Sequence, residues 1–88
     1  MKVYKYPIPA RDEDGDVFIR LPKNHQILHV GLDPAGVACI WAKVGGDLDS
    51  ESCVDLFIAS TGEEIPDQYR NYAGTYKQEL FVQHVFFA

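Results

Sequence analysis

Basic residues are scarce: eight Lys and Arg stand against thirteen Asp and Glu, for a net charge of −5 and a pI near 4.9. A surface that grips nucleic-acid phosphates needs clustered Lys and Arg to displace counterions, and here they are scattered. Direct nucleic-acid binding is therefore not expected. Cysteine is nearly absent too. Cys39 and Cys53 are too few for a disulfide framework and read as two reduced, partly buried thiols. No apolar run approaches the ~20 residues of a membrane span, and no basic N-terminus precedes an apolar stretch as in a signal peptide. The sequence predicts a soluble, intracellular protein with no membrane partner. It also lacks a Gly-rich loop opening a helix and a strand-turn-helix nucleophile elbow, the usual marks of phosphate binding and of Ser or Cys catalysis. Internal repeats, linkers and low-complexity segments are missing as well.

What is present is a chain of 88 residues, 47% apolar and 12% aromatic, too hydrophobic for disorder and short enough to be one domain with a small core. Apolar runs rich in Val, Ile, Phe and Tyr recur between turn signals, the pattern of an antiparallel all-β domain. Six strands are read. "KVYKYPI" leads to Pro7 and Pro9, which cannot donate to a ladder, so it is an edge strand ending there. "DEDGD" turns the chain into "VFIRL". "QILHVGL" and "VACIWAKV" flank "DPAG", where Asp33 caps the turn, Pro34 presets φ and Gly36 tolerates positive φ. "CVDLFIAS" follows the polar loop "GGDLDSES", which predicts a second hairpin of residues 38–44 with 53–59 and a three-stranded meander. In that register the two cysteines lie too far apart for a disulfide. Residues 64–73 lack a strand pattern, and Pro66 suits a short helix or a run of turns there. "LFVQHVFFA" closes the fold, a small β-sandwich or partly open barrel with Trp41 expected in the core beside Leu28 or Val30 and Phe57.

Candidate chemistry is thin. Counted from Asp12, the acidic run Asp12, Glu13, Asp14, Asp16 puts Val17 and Lys23 at the two demanding positions of a calcium loop, so it reads as a solvated turn. His25 and His29 are four apart, which along a strand separates them by about 13 Å. A zinc site would need His29 and His84 on neighbouring strands with Cys39 or Asp55. "STGEE" offers backbone N–H groups to an anion, but Glu63 and Glu64 oppose one. No catalytic, metal or cofactor residue is assigned.

The aromatic residues cluster late: Tyr69, Tyr72 and Tyr76 with Arg70 among them, then Phe81, Phe86 and Phe87. Such residues suit a contact surface, and equally a loop packed on a sheet. In "LFVQHVFFA" one face carries Leu80, Val82, His84 and Phe86, the other Phe81, Gln83, Val85 and Phe87, so neither is polar. Two covers for the second face are open, the "YRNYAGTY" segment folded over it and a second protomer; the second protomer is the expected one, giving a homodimer or larger homo-oligomer with Phe86 or Phe87 at the contact.

Taken in order, Lys5-Tyr6, "RLPKNHQILHV", "ACIWAKV", "FIASTGEEIP" and "YAGTYKQELFVQHVFF" resemble a family of short uncharacterised proteins encoded by tailed bacteriophages and prophages. The likeness covers most of the chain, and departs from the pattern at Asn24 and His25 and at Phe87. It implies a phage-encoded accessory protein of the host cytoplasm and carries no activity over to named residues. The expected function is a non-enzymatic binding protein that occupies a host protein or complex, most concretely an anti-defence inhibitor of the anti-CRISPR type. The alternatives are an oligomeric module sequestering a small nucleotide signal, a minor virion component, and a histidine-site metalloenzyme.

Overall fold

Side chains branched at Cβ and aromatic side chains are stiff and pack well on a pleated surface. In the computed structural model, which describes residues 1–88, they build seven strands and no helix. These are β1 (Lys2–Pro7), β2 (Asp16–Pro22), β3 (His25–Leu32), β4 (Ala38–Val44), β5 (Glu51–Ser60), β6 (Asn71–Gln78) and β7 (Phe81–Phe87). Every pairing is antiparallel. Two sheets result, ordered β1-β4-β3 and β2-β5-β7-β6, and they face each other as a sandwich rather than a closed barrel. With no helix in the chain, none is long and apolar enough to cross a membrane.

The β3–β4 hairpin forms as expected, with Val30 opposite Ile40 and Leu32 opposite Ala38. Asp33 caps its turn: Oδ1 accepts the N–H of Ala35 and of Val37, each at 2.9 Å, and Gly36 sits at φ 81°. β1 ends at Pro7 and is an edge strand. The second expected hairpin does not form. β4 takes β1 as its other neighbour, while β5 lies between β2 and β7 in the opposite sheet. The connection through Gly45 and Gly46, with Gly46 at φ 67°, is an arch from sheet to sheet. It also separates the cysteines, with Cys39 buried on β4 and Cys53 exposed on β5.

The segment expected as a helix or turns divides. Residues 61–70 are turns and extended chain, and strand β6 begins at Asn71. A bulge between Tyr72 and Gly74 explains why β6 lacks a period-2 pattern. It lets Ala73 and Tyr76, three apart, both pack on the core. A bulge between Ile27 and His29 does the same for Ile27 and Val30.

The core lies between the sheets. Leu21, Val30, Ile40, Val44, Leu56 and Val85 are fully buried, each contributing about 1.5–3 kcal/mol of transfer free energy. The sheets meet most closely where β3 passes β6. A Cβ on Gly74 would lie 2.8 Å from Cβ of Val30, so only glycine allows that approach. Trp41 is not in this core. Ile40, Ala42 and Val44 point inward, which sends Trp41 to the outer face, where its ring meets His29 at 5.6 Å. Leu28 is exposed, and Phe57 is buried on the outer side of the other sheet.

Candidate binding face

The pleat sends Val17, Ile19 and Leu21 inward on β2, Leu56 and Ile58 on β5, and Val85 on β7. It must therefore send Phe18, Phe57 and Phe86 outward. The ladder then aligns them. Asp16, Phe57, Phe86 and Tyr72 are successive cross-strand partners, one from each strand of the four-stranded sheet. The rings of Tyr72 and Phe86 lie 5.4 Å apart and tilted, and Tyr69 meets Phe57 at 5.3 Å. Both are favourable aromatic geometries.

Residues 61–70 cross part of this face, which is why Phe57, though directed outward, is only 5% exposed. Gly15 closes the other side of that ring, since a Cβ there would fall 2.8 Å from Phe57 Cζ. Polar contacts hold the crossing segment, among them Thr61 with His84. The Arg11 Nη1 donates to Glu63 Oε1 at 2.6 Å and to the carbonyl of Ile58 at 2.8 Å. The Arg11 guanidinium, with the Ser60 N–H, holds the Glu63 carboxyl down at about 2. Tyr69 donates its hydroxyl to Asp16 Oδ1 at 2.9 Å. Burial, that hydrogen bond and the negative field of Asp16, Asp55 and Asp12 push the Tyr69 hydroxyl up to about 12.

A cleft of about 430 Å³ is lined by Tyr69, Phe18, Pro9 and Val17. The carboxylates of Asp12, Asp16 and Asp55 stand around it. A second cleft of about 420 Å³ lies where Ile8, Val37, Tyr76 and Gln83 meet, and its single charged residue, Arg11, is already paired with Glu63.

Of the residues singled out in the sequence, Tyr69, Tyr72 and Phe86 come together on this face. Tyr76 and Phe87 instead pack against the core. Phe81 is exposed at the β6–β7 turn beside Leu80, and Arg70 is exposed with its Nε donating to the carbonyl of Asp67. β7 is an interior strand with Tyr72 against Phe86 and Thr61 against His84, so the chain itself partly covers the strand's second face. Phe18, Phe57, Asp16 and Asp55 were missed. For Phe18 the signal was the alternation in "VFIRL", which places that aromatic at an outward position.

The histidines do not meet. His29 is on the outer face of one sheet and His84 on that of the other, while the His25 Nδ1 lies 2.6 Å from the Pro22 carbonyl. His84 has Thr61 Oγ1 at 2.8 Å from Nε2 and Thr75 Oγ1 at 3.0 Å from Nδ1. A hydroxyl on Nε2 is half of an acyl-transfer site, but Nδ1 faces another hydroxyl where an orienting carboxylate belongs. Asp12, Asp14 and Asp16 bring carboxylate oxygens within 4.8 Å of one another. The Asp12 Oδ1 accepts the N–H of Asp14 and of Asp16, each at 2.9 Å, which builds the turn the sequence suggested.

Fold and face together define a two-sheet antiparallel β-sandwich whose larger sheet carries an aromatic outer surface with an acidic rim. The family model for a domain of unknown function, DUF7352, matches residues 1–88, and the chain belongs to that family. No curated protein and no solved structure matches it.

Proposed function

We propose that this chain is a non-enzymatic binding protein that acts by occupying a protein partner with the outer face of its four-stranded sheet. The observation that carries this reading is the aromatic row Phe57, Phe86, Tyr72, flanked by Tyr69 and Phe18. The row is covered at its centre, yet Phe18 stays 62% exposed and Tyr72 59%. Aromatic side chains give large contact area at low entropic cost, and patches of them mark association surfaces. An acidic rim and a net charge of −5 favour a basic protein surface over nucleic acid.

The resemblance to phage-encoded proteins supports a host protein or complex in the infected cytoplasm as the partner, and an anti-defence inhibitor as the most concrete role. Part of the cover over the second face of β7 comes from the chain itself, through Tyr72 on Phe86 and Thr61 on His84. A host partner is proposed beside, and not in place of, the expected self-association. The test is affinity capture from infected bacterial cells with wild type, Phe18→Asp, Tyr72→Ala and, on the opposite face, Lys43→Ala. A partner retained by Lys43→Ala and lost by Phe18→Asp and Tyr72→Ala supports the reading. Equal capture by all four proteins overturns it.

A further inference from the structure

We propose that the cleft between Phe18 and Tyr69 receives an arginine side chain of the partner protein; this rests on the binding reading above and names the chemistry of one contact. The walls and the charges each point to that occupant. Phe18 and Tyr69 both line a cleft large enough for a side chain, about 430 Å³. Tyr69 is held in place by its bond to Asp16, so its ring need not be ordered on binding. Phe18 stands directly opposite Asp55 in the β2–β5 ladder, which sets an aromatic face beside a carboxylate.

No salt bridge engages the carboxylates that line the cleft. The chain forms two ion pairs, Lys5 with Asp33 and Arg11 with Glu63, and neither involves Asp12, Asp16 or Asp55. Arg11 follows the cleft residue Ala10, but its guanidinium is taken by Glu63 and by the carbonyls of Asp12, Glu13 and Ile58. Asp12 already serves its own turn. That leaves Asp55 and the second oxygen of Asp16 as acceptors without a hydrogen-bond partner in the chain, in a cleft that Phe18 and Tyr69 also line. A phosphate is repelled there, and a neutral donor gives the carboxylates only the weaker, uncharged hydrogen bond. A planar guanidinium stacks on a ring while its edge gives two N–H bonds to a carboxylate, which an ammonium does not do.

The experiment uses the folded, ¹⁵N-labelled chain titrated with N-acetyl-arginine methylamide and with its lysine and citrulline counterparts. The arginine probe is expected to shift the amides of Phe18, Asp55 and Tyr69 in a saturable way, with the lysine probe weaker and the citrulline probe silent. Asp55→Asn should raise the Kd for the arginine probe at least about tenfold, the loss of one charge-assisted contact. Lys43→Ala, on the outer face of the other sheet, should leave it unchanged. Citrulline binding as well as arginine, or wild-type arginine binding by both Asp55→Asn and Phe18→Ala, overturns the proposal. So do shifts spread evenly over acidic residues away from the cleft. Partner capture that depends on Phe18 and Tyr72 without any arginine response removes this proposal and leaves the binding reading standing. A saturable arginine response with capture indifferent to Phe18 and Tyr72 does the reverse.

Discussion

The two sheets treat their outer faces differently. On the three-stranded sheet the outward residues include Lys5, Trp41 and Lys43; Lys5 pairs with Asp33 at 2.9 Å, and Trp41 is half-buried beside His29. No separate segment crosses that face; Cys39, outward by the same parity, is buried there beside Asp33. On the four-stranded sheet, Phe57 is outward by pleat yet buried, because residues 61–70 and Gly15 lie across it. The same alternation thus produces an uncrossed face and a covered one. The lesson concerns apolar residues on both faces of a strand: a neighbouring segment of the same chain can supply the cover, and the informative residues are those still exposed beside it. Here these are Phe18 and Tyr72.

The comparison breaks most directly at its two large outward aromatics. Phe57→Ala should cost about 3–5 kcal/mol, as for a buried core aromatic, and Trp41→Ala only about 1–2 kcal/mol, as for a partly exposed site. Urea unfolding of both variants measures the difference. Equal losses would mean that the cover over Phe57 contributes nothing to stability. Gly74→Ala should come next, at about 1–3 kcal/mol, because its Cβ would press on Val30 where the sheets close. A thermal melt unchanged from wild type would show that β3 and β6 can separate without loss.

The smallest effect concerns the Glu63 anchor of the crossing segment. Its folded pKa is depressed to about 2 from 4.5, so its stabilisation is present above pH 4.5 and lost as pH falls through about 2. Glu63→Gln should therefore melt below wild type at neutral pH and converge with it near pH 2. A gap between the two melting temperatures that persists at pH 2 would assign the effect to packing rather than to charge.

Much of the fold is legible in the residues. Pro7 and Pro9 mark where an edge strand stops, and "DPAG" specifies its turn because Asp33 and Gly36 each have one local job. β6 was illegible for a local reason too: its bulge puts Ala73 and Tyr76 three apart, which breaks the alternation by which a strand is recognised. Trp41 shows a different failure. Its parity with Lys43 signalled an outward position, but residue type suggested burial.

The aromatic character of the candidate site was visible in Tyr69, Tyr72 and Phe86. Phe18 and Asp55 were not, since they join that site only across the ladder from β2 to β5. What the sequence by itself determined was the strand class, most turns and the charge balance, all of which depend on neighbours along the chain. The tertiary structure alone decided which sheet each strand joins, that β5 leaves β4 for β2 and β7, and which aromatic residues are covered. Those outcomes depend on burial summed over residues far apart in sequence, and no local preference encodes that sum.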